Sequence, residues 1–412
     1  MYIDHDNRIT PAQAELKAKV HAFARDVLRP AAAALDPLDA ATVAAPDSAL
    51  WTTLRASYAA GLHTALIPTT HGGMGLDGME LALALEELGW GSADFAVSLA
   101  VTGFPASLAA KLGQAELHNN FVAPFVADGK AAWIGCWAIT EPNHGSDHFL
   151  MNDPQFRDPT RHGEVTARAQ GDHWILNGAK ARWVSNGGIA THAAVYLNTD
   201  PARGLAGGGI ALVPLDLPGV IRGPHLDKLG QRALNQGGFA FDNVSIPSHF
   251  MLAGAELYPQ LLDQTLALTN AAMGSIFTGV AQAAFEAALA HTQTRMQGGK
   301  RLCEHQLVQK RLFDMYCRVE SSRALSRNAF IWNAGRANPV TELATAAKIY
   351  CTEAAYAVCD SAVQLLGGAG LSKGELVEKL YRDARAALIE DGSNDVLALS
   401  GAQLVLSRQA DD

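Results

Sequence analysis

The apolar residues of this chain change their period twice, and that excludes a single uniform architecture. From Pro11 to about Gly129 they recur at helical spacing. In PAQAELKAKVHAFARDVLRPAAAAL, Leu16, Val20, Phe23 and Val27 share a face with charges between them. GMELALALEELGWG and DFAVSLAVTGFPASLAAKLG are rich in Ala and Leu, as buried helices are, and IPTTHGGMGLDG (67–78) is a Pro/Gly loop between helices. From about Trp133 to Pro247 the texture becomes short β-prone runs: AAWIGCWAIT, WILNGAKARWVSN, HAAVYLNT, GGIALVPLD and GGFAFDNVSIP. Gly, Pro, Asn and Asp separate them, which predicts a barrel or a sandwich. From about Gly254 long alanine-rich helices return. QTLALTNAAMGSIFTGVAQAAFEAALAHTQTRM has the small residues that suit close packing, TELATAAKIYCTEAAYAVCDSAVQLL stops at GGAG, and a last helix begins near Asn394 with Ser393 or Asn394 as cap. The expectation is an α + β multidomain chain: an N-terminal all-α domain (1–132), a central β-barrel or sandwich domain (133–252) and a C-terminal four-helix-bundle-like domain (253–412).

Composition narrows the function class. At 412 residues the chain is too long for one ordinary core, and 49% hydrophobic against 18% charged residues describes a packed globular protein. A net charge of −9 argues against nucleic acid or an anionic membrane as partner. The five cysteines, Cys136, Cys303, Cys317, Cys351 and Cys359, include no C-x-x-C pair and read as free thiols in a reducing, cytoplasmic setting. The histidines include no H-E-x-x-H pattern, so no metal site is expected. The polar start MYIDHDNRIT does not read as a signal peptide, and no run of about 18 uninterrupted apolar residues suggests a membrane span. Gly72, Gly73 and Gly75 do not follow a strand–G-x-G-x-x-G–helix order and are read as a structural turn.

The motif-bearing stretch is CWAITEPNHGSD (136–147), where a β-prone run enters Thr140-Glu141-Pro142 and a glycine-containing turn. It closely resembles the T-E-P-x-x-G-S-D segment of the acyl-CoA dehydrogenase family. NGAKARWVSNG (177–187), DKLGQRALNQGGFAFDNVSIP (227–247), QLLGGAG (364–370) and VEKLYRDARAALIEDGSND (377–395) resemble further family segments in the same order, over nearly the whole chain. The resemblance implies FAD as cofactor and α,β-dehydrogenation of an acyl thioester. A base removes the Cα proton and the flavin N5 takes a hydride from Cβ. Thr140 takes the place of a hydroxyl partner of the isoalloxazine, with Trp137 and Ile139 leading into it. Trp183 would cover the ring system and Ser185 would stand near N5, where the family usually has Thr. Ser146 would lie near the pyrophosphate or the pantetheine. Arg295 and Gln306 keep the family's R-(x)10-Q spacing for the diphosphate and adenosine, and Gln364, Gly367 and Gly368 match a turn that reaches a neighbouring subunit's cofactor. A homo-oligomer, in the family usually a tetramer, and an electron-transfer flavoprotein as acceptor are implied with it.

In LIEDGSND, the residue-by-residue match puts Asp391 at the family's catalytic Glu, Glu390 at its Tyr and Ser393 at its flavin-contacting Thr. Asp391 is therefore the candidate base, with its backbone N–H and Gly392 beside the thioester. Glu390 is expected to be solvated or salt-bridged. Asp is shorter than Glu by one methylene, about 1.3 Å. The family's other base location holds Thr269 and Asn270, neither of them a base. Asp94, in GSADFAV, reads as a cap or turn residue and is the reserve candidate. Gly298 stands where the family has Phe, which would open the flavin edge, and the 148–163 loop is longer than usual. The altered base suggests a substrate other than a simple straight-chain fatty acid: branched, cyclic or carrier-bound. Two rival readings are a flavin monooxygenase or other non-dehydrogenating flavoenzyme of the same fold, and a catalytically silent acyl-thioester-binding flavoprotein.

Overall fold

The computed structural model describes residues 4–408. Its N-terminal part is helical: α1 (Pro11–Phe23), α2 (Arg29–Leu35), α3 (Ala40–Ala44), α4 (Ala49–Ala59), α5 (Gly78–Gly91), α6 (Ala93–Leu112) and the short α7 (Ala115–Leu117) and α8 (Ala123–Ala127). Local chemistry starts these helices. Thr10 and Gln13 form a reciprocal capping box with Pro11 at the first helical position, and the Ser92 hydroxyl accepts the Phe95 N–H. Helix α6 is long and apolar enough to cross a membrane, but it is largely buried inside the protein, so its apolarity is that of a core helix.

Eight strands follow: β1 (Gly135–Ala138), β2 (Thr166–Gln170), β3 (His173–Ala179), β4 (His192–Asn198), β5 (Gly208–Pro214), β6 (Val220–His225), β7 (Gly237–Pro247) and β8 (Met251–Ala253). They form one sheet in the order β6-β7-β3-β2-β4-β5-β8, with β1 parallel to β4 and His192 opposite Gly135. The chain then returns to helices: α9 (Tyr258–Thr294), α10 (Gln306–Asn333), α11 (Thr341–Leu366), α12 (Leu376–Ala387) and α13 (Asn394–Arg408).

Small residues decide how closely these layers approach. On α9, a side-chain carbon added at Gly279 would lie 1.9 Å from the Glu86 carbonyl oxygen of α5. One added at Gly89 of α5 would lie 2.0 Å from the Ile276 carbonyl oxygen of α9. The two helices therefore touch backbone to backbone, which only glycine permits. A buried ionic cluster ties the same region together. Arg323 and Arg327 of α10 bond Glu86 at 2.8 and 2.9 Å, and Arg327 also reaches Asp4 at 2.7 Å.

Candidate active site

The T-E-P turn is fixed by its middle residue. Glu141 is buried, ion-paired to Lys180 at 2.7 Å, and accepts the backbone N–H groups of Glu164 (2.6 Å) and Val165 (3.0 Å). The Lys180 ammonium also donates to the Ile139 carbonyl. This carboxylate holds a turn and has no capacity left for chemistry. The W-V-S-N turn is fixed by Asn186, whose amide donates to Ser98 O, Thr102 Oγ1 and Gly135 O while its oxygen accepts from the Ser98 hydroxyl. Its backbone sits at φ 63°, a conformation Asn tolerates better than most residues.

These two turns open onto a cleft of ≈ 720 Å³. Trp137, Ile139, Thr140, Ser146, Trp183, Ser185, Asp391 and Gly392 all line it. Trp183 is 47% exposed, and the Gln236 amide donates to Trp183 O (3.1 Å) and Ser185 Oγ (3.2 Å). Ser393 does not line the cleft. Its backbone N–H donates to Ser146 Oγ at 2.9 Å and joins the base turn to the T-E-P turn. From the long loop, Phe149 forms cleft wall, while buried Phe156 anchors the segment below.

The base turn joins α12 to α13. Asp391 at φ 51° and Gly392 at φ 102° make the reversal, and a side-chain carbon at Gly392 would fall 2.9 Å from Leu397 and 3.0 Å from Phe149. Buried Lys348 of α11 holds it from beneath, donating to Gly392 O (2.7 Å) and Asn394 Oδ1 (2.6 Å). The Asn394 side chain is thus committed to Lys348 and to Thr352, and does not cap α13. The Ser393 carbonyl starts that helix by accepting the Leu397 N–H. Burial pushes the Asp391 carboxyl up to about 6, with the Lys348 ammonium pulling the other way.

Two expectations are corrected. Glu390 is not ion-paired: half-buried, it lines the cleft, accepts from the Gln231 amide at 2.8 Å, and is pushed up to about 7 by burial. Asp94 is not available as a base. It is fully buried, bonded to Lys379 at 2.5 Å and to the Ala233 N–H at 2.8 Å, and borders no cavity of the site. Gly298 sits in a hairpin turn, Met296–Gln297 against Lys300–Arg301, away from this chain's cleft. Arg295, Gln306, Gln364, Gly367 and Gly368 are also outside the cleft, exposed on the surface of this chain, with open space where side chains at Gly367 and Gly368 would lie.

A smaller apolar chamber of ≈ 60 Å³ leads off the cleft between α5, α6 and α9. Val97, Val101, Trp137, Met273 and Asp391 belong to both walls, so Asp391 stands at the junction. Sequence reasoning had not singled out Lys228, Gln231, Gln236 or Lys348. The first three lie inside the quoted 227–247 stretch, whereas a lone lysine in an alanine-rich helix gives no signal.

Helices around a central sheet, with a carboxylate at the junction of a wide cleft and an apolar chamber, match the arrangement that the resemblance to flavin-dependent acyl-thioester oxidoreductases implies. The N-terminal, middle and C-terminal domains of acyl-CoA dehydrogenase match residues 10–129, 136–244 and 260–406. The human mitochondrial short-chain specific acyl-CoA dehydrogenase is 34% identical over 340 residues, 82% of this chain and 78% of its own length. A probable acyl-CoA dehydrogenase of Mycobacterium tuberculosis is 32% identical over 383 residues, 93% of this chain and 92% of its own length. Among solved structures, butyryl-CoA dehydrogenase from Megasphaera elsdenii superposes with a TM-score of 0.85 at 26% identity, covering 98% of this chain and 100% of that one. A glutaryl-coenzyme A dehydrogenase in complex with glutaryl-CoA gives 0.84 at 26% identity, covering 99% and 97%. The chain belongs to the acyl-CoA dehydrogenase family, FAD-dependent oxidoreductases acting on a CH–CH bond. The cleft fits that cofactor: it has the size of a ligand site, an exposed indole at Trp183, hydroxyls at Thr140 and Ser185, and the buried Trp137 indole N–H has no protein partner.

Proposed function

We propose that the protein dehydrogenates an acyl thioester at Cα–Cβ with Asp391 as the base. The observation that carries this is the position of Asp391. Of the side chains common to cleft and chamber, its is the one carboxylate. Asp391 would take the Cα proton of a thioester whose acyl group enters the chamber, and its backbone N–H would donate to the thioester oxygen and stabilise the developing enolate. Bound FAD supplies the hydride acceptor for Cβ. Thr140, Trp183 and Ser185 orient the ring system, and the apolar chamber wall excludes water from the proton being moved. An acid held near 6 is ionised at neutral pH yet basic enough to accept a carbon-bound proton.

The exposed Gln364, Gly367 and Gly368, with Leu307 and Phe313 on α10 and Leu399 and Leu406 on α13 also exposed, support assembly into a homo-oligomer in which a second copy completes the cofactor site. An electron-transfer flavoprotein is the proposed acceptor. The test is anaerobic bleaching of the flavin by a panel of acyl-CoAs with Asp391→Asn beside wild type. Bleaching of wild type alone supports the assignment. Equal bleaching of the variant refutes the base. If nothing bleaches either protein and the chemically reduced flavin reacts rapidly with O2, the monooxygenase reading replaces this one.

A further inference from the structure

Resting on the reading of Asp391 as base, we infer that the substrate is a thioester of a compact, uncharged acyl group, because the chamber beyond Asp391 is closed by backbone contacts and carries no cation. At ≈ 60 Å³ the chamber has room for roughly four to six atoms beyond the base, taking about 10–15 Å³ per water-sized occupant. Its far walls cannot retreat. Leu85, Leu88 and Ile276 line it where α5 and α9 meet, and the contacts at Gly89 and Gly279 leave no gap between those helices for a chain to pass. On the α6 side, a side-chain carbon at Gly103 would lie 2.9 Å from the His63 carbonyl oxygen, so that seam is also backbone against backbone. The remaining depth is set by leucine side chains, Leu66, Leu81 and Leu85 among them.

Charge selects as well as length. Among the described residues of the wall there is no Lys or Arg. The wall's one imidazole, His63, is pushed down to about 4 by burial and is neutral at working pH. A dicarboxylic acyl group would bury its second carboxylate there without a counter-charge, with only the neutral His63 ring and the Thr269 hydroxyl to bond it. The class is thus monocarboxylic acyl groups of short linear, branched or small cyclic shape.

The experiment is a ladder of butyryl-, isobutyryl-, hexanoyl-, dodecanoyl- and glutaryl-CoA, read as kcat/KM of the FAD-loaded enzyme. A parallel ladder reads calorimetric affinity for the Asp391→Asn variant, which binds without turnover. The compact members should lead, with dodecanoyl- and glutaryl-CoA lower by roughly tenfold or more, the discrimination exerted by a pocket too short by a methylene or two. Leu85→Ala should raise the dodecanoyl-to-butyryl ratio. Leu66→Ala, at a partly buried site, does the same if the first variant folds poorly. Dodecanoyl- or glutaryl-CoA matching butyryl-CoA in both ladders overturns the inference and leaves Asp391 standing. If no thioester reduces the flavin, the base reading falls, and the binding ladder alone decides the chamber: tightest binding of the compact members sustains it, and affinity that keeps rising to dodecanoyl overturns it.

Discussion

Replacing Lys348 with Met tests how the base is held. The ammonium is buried and makes two hydrogen bonds to the base turn, at 2.7 Å to Gly392 O and 2.6 Å to Asn394 Oδ1. Met keeps most of the volume and removes both. Each buried acceptor left unsatisfied costs about 1–3 kcal/mol, enough to let a turn with two positive-φ residues relax. A displacement on the scale of 1 Å at the base costs on the order of 100-fold in rate. The charge has a second effect with a definite sign. Lys348 favours ionised Asp391, so removing it raises the carboxyl above its present value of about 6. As the proposed base, Asp391 works only when ionised; the acid limb of flavin reduction should therefore shift from near pH 6 to higher pH, and activity at pH 6.5 should fall more than at pH 8. Of the other charged groups facing this turn, Glu390 also loses the pull of Lys348 and rises in the same direction, while Lys228 is kept. Anaerobic stopped-flow reduction across pH, with Lys348→Arg as a charge-retaining control, reads both effects. A folded, flavin-loaded Lys348→Met protein with wild-type rate and an unmoved acid limb would refute the argument.

Glu390→Gln should retain reduction within a few fold, because Asp391, not Glu390, borders the chamber; abolished reduction in this variant but not in Asp391→Asn would reverse the two roles. Gly392→Ala should lose roughly 1–3 kcal/mol of stability and most activity, since φ is 102° and the new carbon would meet Leu397 at 2.9 Å; denaturant unfolding beside flavin reduction checks it. Glu86→Gln removes the carboxylate shared by buried Arg323 and Arg327, which keep Glu320 and Asp4, and should cost about 1–3 kcal/mol, seen as a lower unfolding midpoint, with the chain-length preference of the surviving enzyme unchanged.

What could be read in the sequence depended on how local its cause was. The T-E-P and W-V-S-N turns were legible because each is a short run of distinctive residue types built around one buried anchor, Glu141 or Asn186. The stop of α11 at Gly367 was legible because a positive-φ glycine (62°) ends a helix through local backbone geometry. The reserve role of Asp94 failed for the opposite reason. An acid in the first turn of a helix looks free in sequence, and its partner Lys379 lies 285 positions away. Lys348 was silent for the same cause, its partners Gly392 and Asn394 being 44 and 46 positions on. The depth of the chamber was hidden too, because Gly89 and Gly279 act on each other's helices and no local pattern links them.

Two adjacent carboxylates in one cleft pose a physical problem that the turn resolves by direction. Like charges this close disfavour joint ionisation, and burial disfavours each alone. Glu390 points to the β-domain side, where the Gln231 amide bonds it and the Lys228 ammonium, itself pushed down to about 8 by burial, stands near. Asp391 points to the chamber, with only Lys348 to favour its charge. With one acid raised to about 7 and the other to about 6, protons leave Asp391 first as pH rises, so near pH 6.5 the pair carries a charged base beside a largely neutral neighbour. The left-handed backbone at Asp391 sends the two side chains apart. Glu390, which stands where the family has Tyr, would then tune the proposed base without competing with it. That predicts a second, weaker inflection near pH 7 in the wild-type reduction rate, as Glu390 ionises beside Asp391, and its disappearance in Glu390→Gln. A single inflection common to both proteins would mean that the two carboxylates do not sense each other.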